Sequence, residues 1–223
     1  MKNLLLPLLL LGLLTDCTYR PKEKRLTKFK NEHSQILESF YKKTNDTIEF
    51  KRILTDGATS KIQSGYIFLD DNTLTHQKFS SVQQLTNANI FDSLKTQFKA
   101  DGFAEKLFDD RDVMFVQIVP DSAMDEEDAS GFINLRHNIE EEIDARLKTN
   151  NLGEWFAGDM GAGANMLFFV DDWTPAMEIV MEVLREENLL DHVLITKRIA
   201  TAKNEWNYEI VYPTEYEGIF NEI

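Results

Sequence analysis

The sequence predicts an α+β protein whose C-terminal half is a ferredoxin-like (split βαβ) domain, an antiparallel sheet with two helices on one face, preceded by a smaller α+β half. Three observations carry this reading. Between Asp112 and Tyr212 the hydrophobic pattern runs strand, helix, strand, strand, helix, strand, with one strand added. Between Thr47 and Ser80, β-rich runs are separated by the turn sequences Asp56-Gly57 and Asp70-Asp71-Asn72. Hydrophobic residues make up 43% of the 223 and charged residues 28%, a composition that builds a buried core and excludes a disordered acidic chain.

Taken in order, Leu26, Phe29, Ile36, Leu37, Phe40 and Tyr41, with His33 among them, fall at helical spacings and predict a helix to about Lys43, stopped by Asn45-Asp46. Thr47–Leu54 partly alternates and Gly65–Leu69 is rich in β-formers, so both read as strands, with Thr73–Ser80 as a third. Asn87–Ala100 places Ile90, Phe91, Leu94 and Phe98 on one helical face, and Gly102 suits the stop.

In the second half, Asp112–Val119, ended by Pro120, reads as a central strand. The acidic stretch Asp121–Asp128 reads as a loop before a helix from about Ser130 to Lys148, whose apolar stripe is Phe132, Leu135, Ile139, Ile143 and Leu147. Glu140, Glu141, Glu142 and Asp144 are expected on the opposite face. Gly153–Phe156 and Asn165–Val170 read as strands joined through a glycine-rich connection. Thr174-Pro175 reads as an N-cap followed by proline at the first helical position, opening a helix to about Asn188. Its Met177 and Met181, like Phe29, Ile36 and Phe40 earlier, read as core stripe rather than partner groove. His192–Ala200 and Glu205–Tyr212 close as two further strands.

Ahead of all this, Met1, Lys2 and Asn3 form a short positive start, and Leu4–Leu14 is an apolar run interrupted only by Pro7 and Gly12, the n-region and h-region of a secretory signal. The run is too short for a membrane span, which needs about 20 residues. It ends in Leu14-Thr15-Asp16-Cys17, and here the segment resembles a bacterial lipoprotein signal, which is cut before a cysteine that is then lipidated. Leu14 and Thr15 suit that pattern, whereas Asp16 departs from the Gly, Ala or Ser usual at its position. The one cysteine of the chain stands where the lipid acceptor belongs. The resemblance covers residues 1–17 and implies a signal peptide over 1–16, a lipid on Cys17, and a place in the bacterial cell envelope. Thr18, where inner-membrane lipoproteins often carry Asp, further implies the outer membrane. Residues 17–25 then read as the lipidated Cys and a polar tether.

Charge divides the chain. The formal net charge is −14 and the pI about 4.7. Residues 1–108 carry 16 cations and 12 anions, and residues 109–223 carry 8 and 26. A boundary is therefore expected near Asp109–Asp112, giving an N-terminal α+β region over 26–110 and an acidic domain over 111–223. This balance argues against nucleic acid, whose backbone is bound through Lys and Arg, and favours a protein partner with a basic or polar surface.

The richest local signal is Gly153–Asn165, with four glycines within eleven residues, of which Gly158, Gly161 and Gly163 are spaced as neither a P-loop nor a dinucleotide fingerprint. It reads as a hairpin whose glycines serve bulges or curvature, with Trp155, Asp159 and Asn165 as the contacts if it binds anything. The acidic stretch 121–128 lacks the EF-hand spacing. His33, His76, His137 and His192 show no zinc-ligand spacing, and Ser39 to Lys42 is a Ser-x-x-Lys without its companion motifs. No catalytic residue, metal or small-molecule cofactor is therefore assigned. The expected function is a lipid-anchored, non-enzymatic interaction or inhibitor (immunity-like) module, with Glu140, Glu141 and Glu142 on its acidic face. The alternatives are a carboxylate-dependent hydrolase using Glu154, Asp159 and the acidic loop, or a structural component of an envelope assembly.

Overall fold

The computed structural model describes residues 26–30, 34–68, 74–85, 90–121 and 126–221. The signal, Cys17 and the tether, as well as His33, the Asp70-Asp71-Asn72 turn and residues 122–125 of the acidic stretch, lie outside them. The architecture is mixed α+β, mostly strands, with two antiparallel sheets and three helices among the described residues.

The first sheet is a meander of β1 (Gln35–Lys43), β2 (Thr47–Thr55), β3 (Ser60–Phe68) and β4 (Leu74–Leu85), with β10 (Gly218–Asn221) added beyond β4. The helix expected over 26–43 is therefore corrected. Leu26 forms an isolated bridge with Pro120, and residues 35–43 are a strand. The reason is burial on both faces: Phe40 packs beneath α1 (Phe91–Ala100), its ring 5.4 Å from that of Phe98, while Tyr41 points to the opposite side. Burial on both faces removes the alternation at Phe40 and Tyr41, the exposed Leu37 sits at a bulge between Ile36 and Glu38, and the adjacent apolar pairs at 36–37 and 40–41 then imitate a helical stripe. The helix α1 ends as its sequence suggests, with Gly102 in the left-handed region at φ 86°.

The second sheet is built from β5 (Asp112–Ile118), β6 (Gly153–Asp159), β7 (Ala164–Val170), β8 (Val193–Ala202) and β9 (Glu205–Tyr212), in the order β6-β7-β5-β8-β9. Its helices are α2 (Glu126–Thr149) and α3 (Trp173–Glu186). Both cover one face, where Val116, Met166 and Phe168 meet Ile139 and Ile143 of α2 and Val180 and Leu184 of α3. Each such side chain contributes about 1.5–3 kcal/mol on burial. The helix α2 begins at Glu126, inside the expected loop. The N-cap of α3 is Asp172 rather than Thr174, and no side chain caps it. Thr174 and Pro175 fall within its first turn, where the missing proline N–H is no loss.

The opposite face of the second sheet meets the first. Phe115, Tyr208 and Ile210 pack on Phe220 of β10, whose ring lies 4.8 Å from Phe115. No strand is expected from the sequence over these last residues, because four residues carry too little pattern. They nevertheless return the chain to the first sheet, with Phe220 opposite Thr75. No helix among the described residues is long and apolar enough to cross a membrane.

Candidate functional site

The hairpin of β6 and β7 gathers two of the expected site residues. A side chain at Gly158 would overlap the Asn165 carbonyl oxygen, and one at Gly163 would meet that of Ile118, so close backbone approach requires both glycines. Asp159 Oδ1 accepts hydrogen bonds from Asn165 Nδ2 at 2.7 Å and from the Gly161 N–H at 2.8 Å. Asn165, 1% exposed, in turn accepts from Gln117 Nε2 at 2.9 Å. Asp159 and Asn165 are thus spent on closing the hairpin. Trp155 stands apart from them on the outer strand, 38% exposed, its backbone N–H donated to Asp144 Oδ1 at 2.8 Å. Glu154 is held by Arg111 at 3.0 Å.

The three glutamates of α2 separate. Glu140 does not face solvent: it is buried beneath the hairpin and accepts from Arg136 Nη2 at 2.6 Å. One helical turn accounts for this, since Glu140 follows Ile139 and shares the covered side with Arg136. Glu141 and Glu142 are exposed. Glu142 accepts from Arg146 at 2.6 Å, and Arg146 reaches Glu186 of α3 at 2.6 Å and Glu182 at 3.7 Å. The hydrogen bond to Arg146 holds the Glu186 carboxyl below its usual range, and both acids hold Arg146 firmly protonated. With Glu178, the outer face of α2 and α3 is strongly acidic.

Beside this face runs a groove of about 540 Å³ between the start of β1 and α3. Its apolar part is Ile36, Trp173, Met177, Met181, Val211 and Tyr212, and Glu178, Glu182 and Arg185 rim it. Along Leu37, Glu38 and Ser39 it continues into a more polar part of about 440 Å³, lined also by Glu105, Lys106 and Lys197. The Lys197 ammonium sits 4.9 Å from the Trp173 ring centre, which fixes the indole at the junction of the two parts. Met177 and Met181 do pack against the core, and their outer sides line the groove. The sequence carried one overlooked signal for it: methionines at i, i+4 run parallel to glutamates at i, i+4, which makes one wall both adaptable and acidic. Among the described residues no three acidic or histidine side chains converge as a metal site requires. The arrangement suits binding an apolar segment that carries cations.

No family model matches the chain, and no match is found among curated proteins or solved structures.

Proposed function

We propose that this protein is a non-enzymatic interaction module of the bacterial envelope, an inhibitor or immunity-like binder, which meets a basic partner through its helical layer and the groove beside it. The observation that carries the reading is the line of exposed carboxylates on two adjacent helices, Glu141 and Glu142 on α2 and Glu178, Glu182 and Glu186 on α3, alongside an apolar cleft. Acidic rims speed and orient encounter with a cationic surface, and an apolar floor supplies residence time. The resemblance of residues 1–17 to a lipoprotein signal supports anchoring by a lipid on Cys17, at the outer membrane. The strand order β6-β7-β5-β8, antiparallel throughout with both helices on one face, supports reading this unit as a ferredoxin-like (split βαβ) domain with β9 added.

The test is site-specific photo-crosslinking in a bacterial host, with the reactive residue at Glu141, at Glu178 or, as a control, at Lys99. We expect one basic partner joined at the first two positions and absent at the third, with the yield falling at least fivefold in Glu178→Lys/Glu182→Lys. Equal products at all three positions, or an unchanged yield in the charge-reversed protein, would overturn it. Intact mass beside Cys17→Ser checks the anchor: a diacyl or triacyl increment on the native chain is expected, and none on the variant.

A further inference from the structure

We infer that the groove holds its partner by strand addition: an extended segment, with apolar and basic residues alternating, pairs with the free edge of β1. This rests on the binding role proposed above and specifies how the partner is held. In the first sheet β1 is the outermost strand and pairs with β2 alone. On its outer side one antiparallel bridge already exists, in which the Tyr41 N–H donates to the Ala104 carbonyl at 2.7 Å and the Ala104 N–H donates to the Tyr41 carbonyl at 2.9 Å. Alternate residues of an antiparallel strand point their backbone groups the same way. Ser39 therefore presents its N–H and C=O along the edge that Ala104 uses at Tyr41.

From Gln35 to Phe40, no backbone group bonds outside the β1–β2 ladder among the described residues. The first five of these residues form one wall of the groove, with α3 as the other. An edge with unpaired donors and acceptors is a template for another strand, and main-chain bonds of this kind recur in peptide recognition. At about 3.3 Å per residue, the wall spans a segment of roughly five residues.

The composition of that segment follows from the walls. Side chains of an added strand alternate between two faces. One set enters between Met177, Met181 and Val211, where unbranched thioethers adapt to the shape offered. The other set passes the acidic rim. Glu178 has no ion-pair partner among the described residues, and Glu182 stands at 3.7 Å from an arginine already bonded to Glu142 and Glu186; with Arg185 the cation beside these two carboxylates the rim stays net acidic, so a further cation is electrostatically favoured there.

The experiment is an NMR titration of the whole soluble chain with a blocked seven-residue peptide of alternating lysine and valine. Two further peptides have the same side chains but carry backbone N-methyl groups on one edge or the other. The parent peptide should shift the amides of Gln35–Ser39 and slow hydrogen exchange at Ser39. One methylated peptide should bind at least tenfold more weakly, and the other within threefold of the parent. Glutamate in place of lysine in the peptide, or Glu178→Lys/Glu182→Lys in the protein, should each weaken binding at least fivefold, so the charge test survives a poorly folded variant. If both methylated peptides bind like the parent at the groove, strand addition is overturned while groove binding stands. No binding, or shifts confined to other surfaces, overturns the inference; indifference to charge as well removes the functional reading with it.

Discussion

Arg52 of β2 and Glu209 of β9, separated by 157 positions in the chain, meet at 3.5 Å where the two sheets join, both side chains fully buried. Each nitrogen of the guanidinium has a partner: Nε donates to Gln63 Oε1 at 2.6 Å, Nη1 to the Ile210 carbonyl at 2.8 Å, and Nη2 to the Thr214 carbonyl. Glu209 accepts from the Tyr41 hydroxyl at 2.6 Å and from Ser39 at 3.1 Å. Burial draws the Arg52 pKa down, and the Glu209 carboxylate opposes that pull. The node pins the middle of β1, at Ser39 and Tyr41, to the second sheet, and Ser39 is the last β1 residue of the groove wall.

Removing one partner strands the other charge in a dry interior. Arg52→Met and Glu209→Gln should each lower unfolding free energy by about 3–5 kcal/mol, read from urea denaturation midpoints. The double variant Arg52→Met/Glu209→Met should lose less than the two single losses added together. Additive losses would show that the two groups do not act as a unit.

Tyr41 makes the node sensitive to alkali. Burial first, and then the Glu209 charge, raise its phenol well above the ordinary value of 10.0. The unfolded chain therefore loses this proton before the folded one does. Its stabilising contribution is complete below pH 10 and is lost progressively as pH rises above that value. Denaturation midpoints measured from pH 8 to 11 should fall more steeply for the native chain than for Tyr41→Phe, whose stability starts lower because Glu209 has lost a donor.

The glycines of the hairpin are not equivalent. Gly158→Ala forces the Asn165 carbonyl, the Arg136 guanidinium and Glu140 to move, and should cost roughly 1–3 kcal/mol. Gly161→Ala meets the end of the Asp159 side chain at 3.2 Å and the Asn165 amide at an ordinary 3.5 Å, and should cost under about 1 kcal/mol. Thermal melts of the two variants rank them directly.

Asp159→Ala leaves the buried Asn165 amide without its acceptor. The loss should be about 1–3 kcal/mol, accompanied by faster hydrogen exchange at Gly161. A neutral outcome at both readouts would mean that the hairpin closes without this carboxylate.

Phe220→Ala opens a cavity between the sheets where the ring meets Phe115 and Tyr208. A loss of about 3–5 kcal/mol is expected in chemical denaturation.

The helices between Asp112 and Tyr212 were legible because each buries one stripe, which writes a period into the chain, and the central strands β5 and β7, buried on both faces, were legible as short apolar runs between turn residues. The stripe of α2 from Phe132 to Leu147 is buried as read. The candidate site was legible only in part. Asp159 and Asn165 do come together, yet as a structural clasp, since a glycine-rich strand pair needs polar bonds to hold its turn. The acids of α2 were expected together on the face opposite the stripe, which holds for Glu141 and Glu142 but not for Glu140: one position separates the buried Glu140 from the exposed Glu141.

By itself, the sequence determined the mixed α+β class, the hairpin, and the acidic second half, because each depends on neighbours within a few residues. Only the tertiary structure decided that residues 35–43 are a strand, that residues 218–221 close the first sheet, that Arg52 finds Glu209, and that Met177 and Met181 line a groove. Each of these depends on groups distant in the chain. Burial on a second face erases the local period, and a buried charge is legible only once its partner is in place.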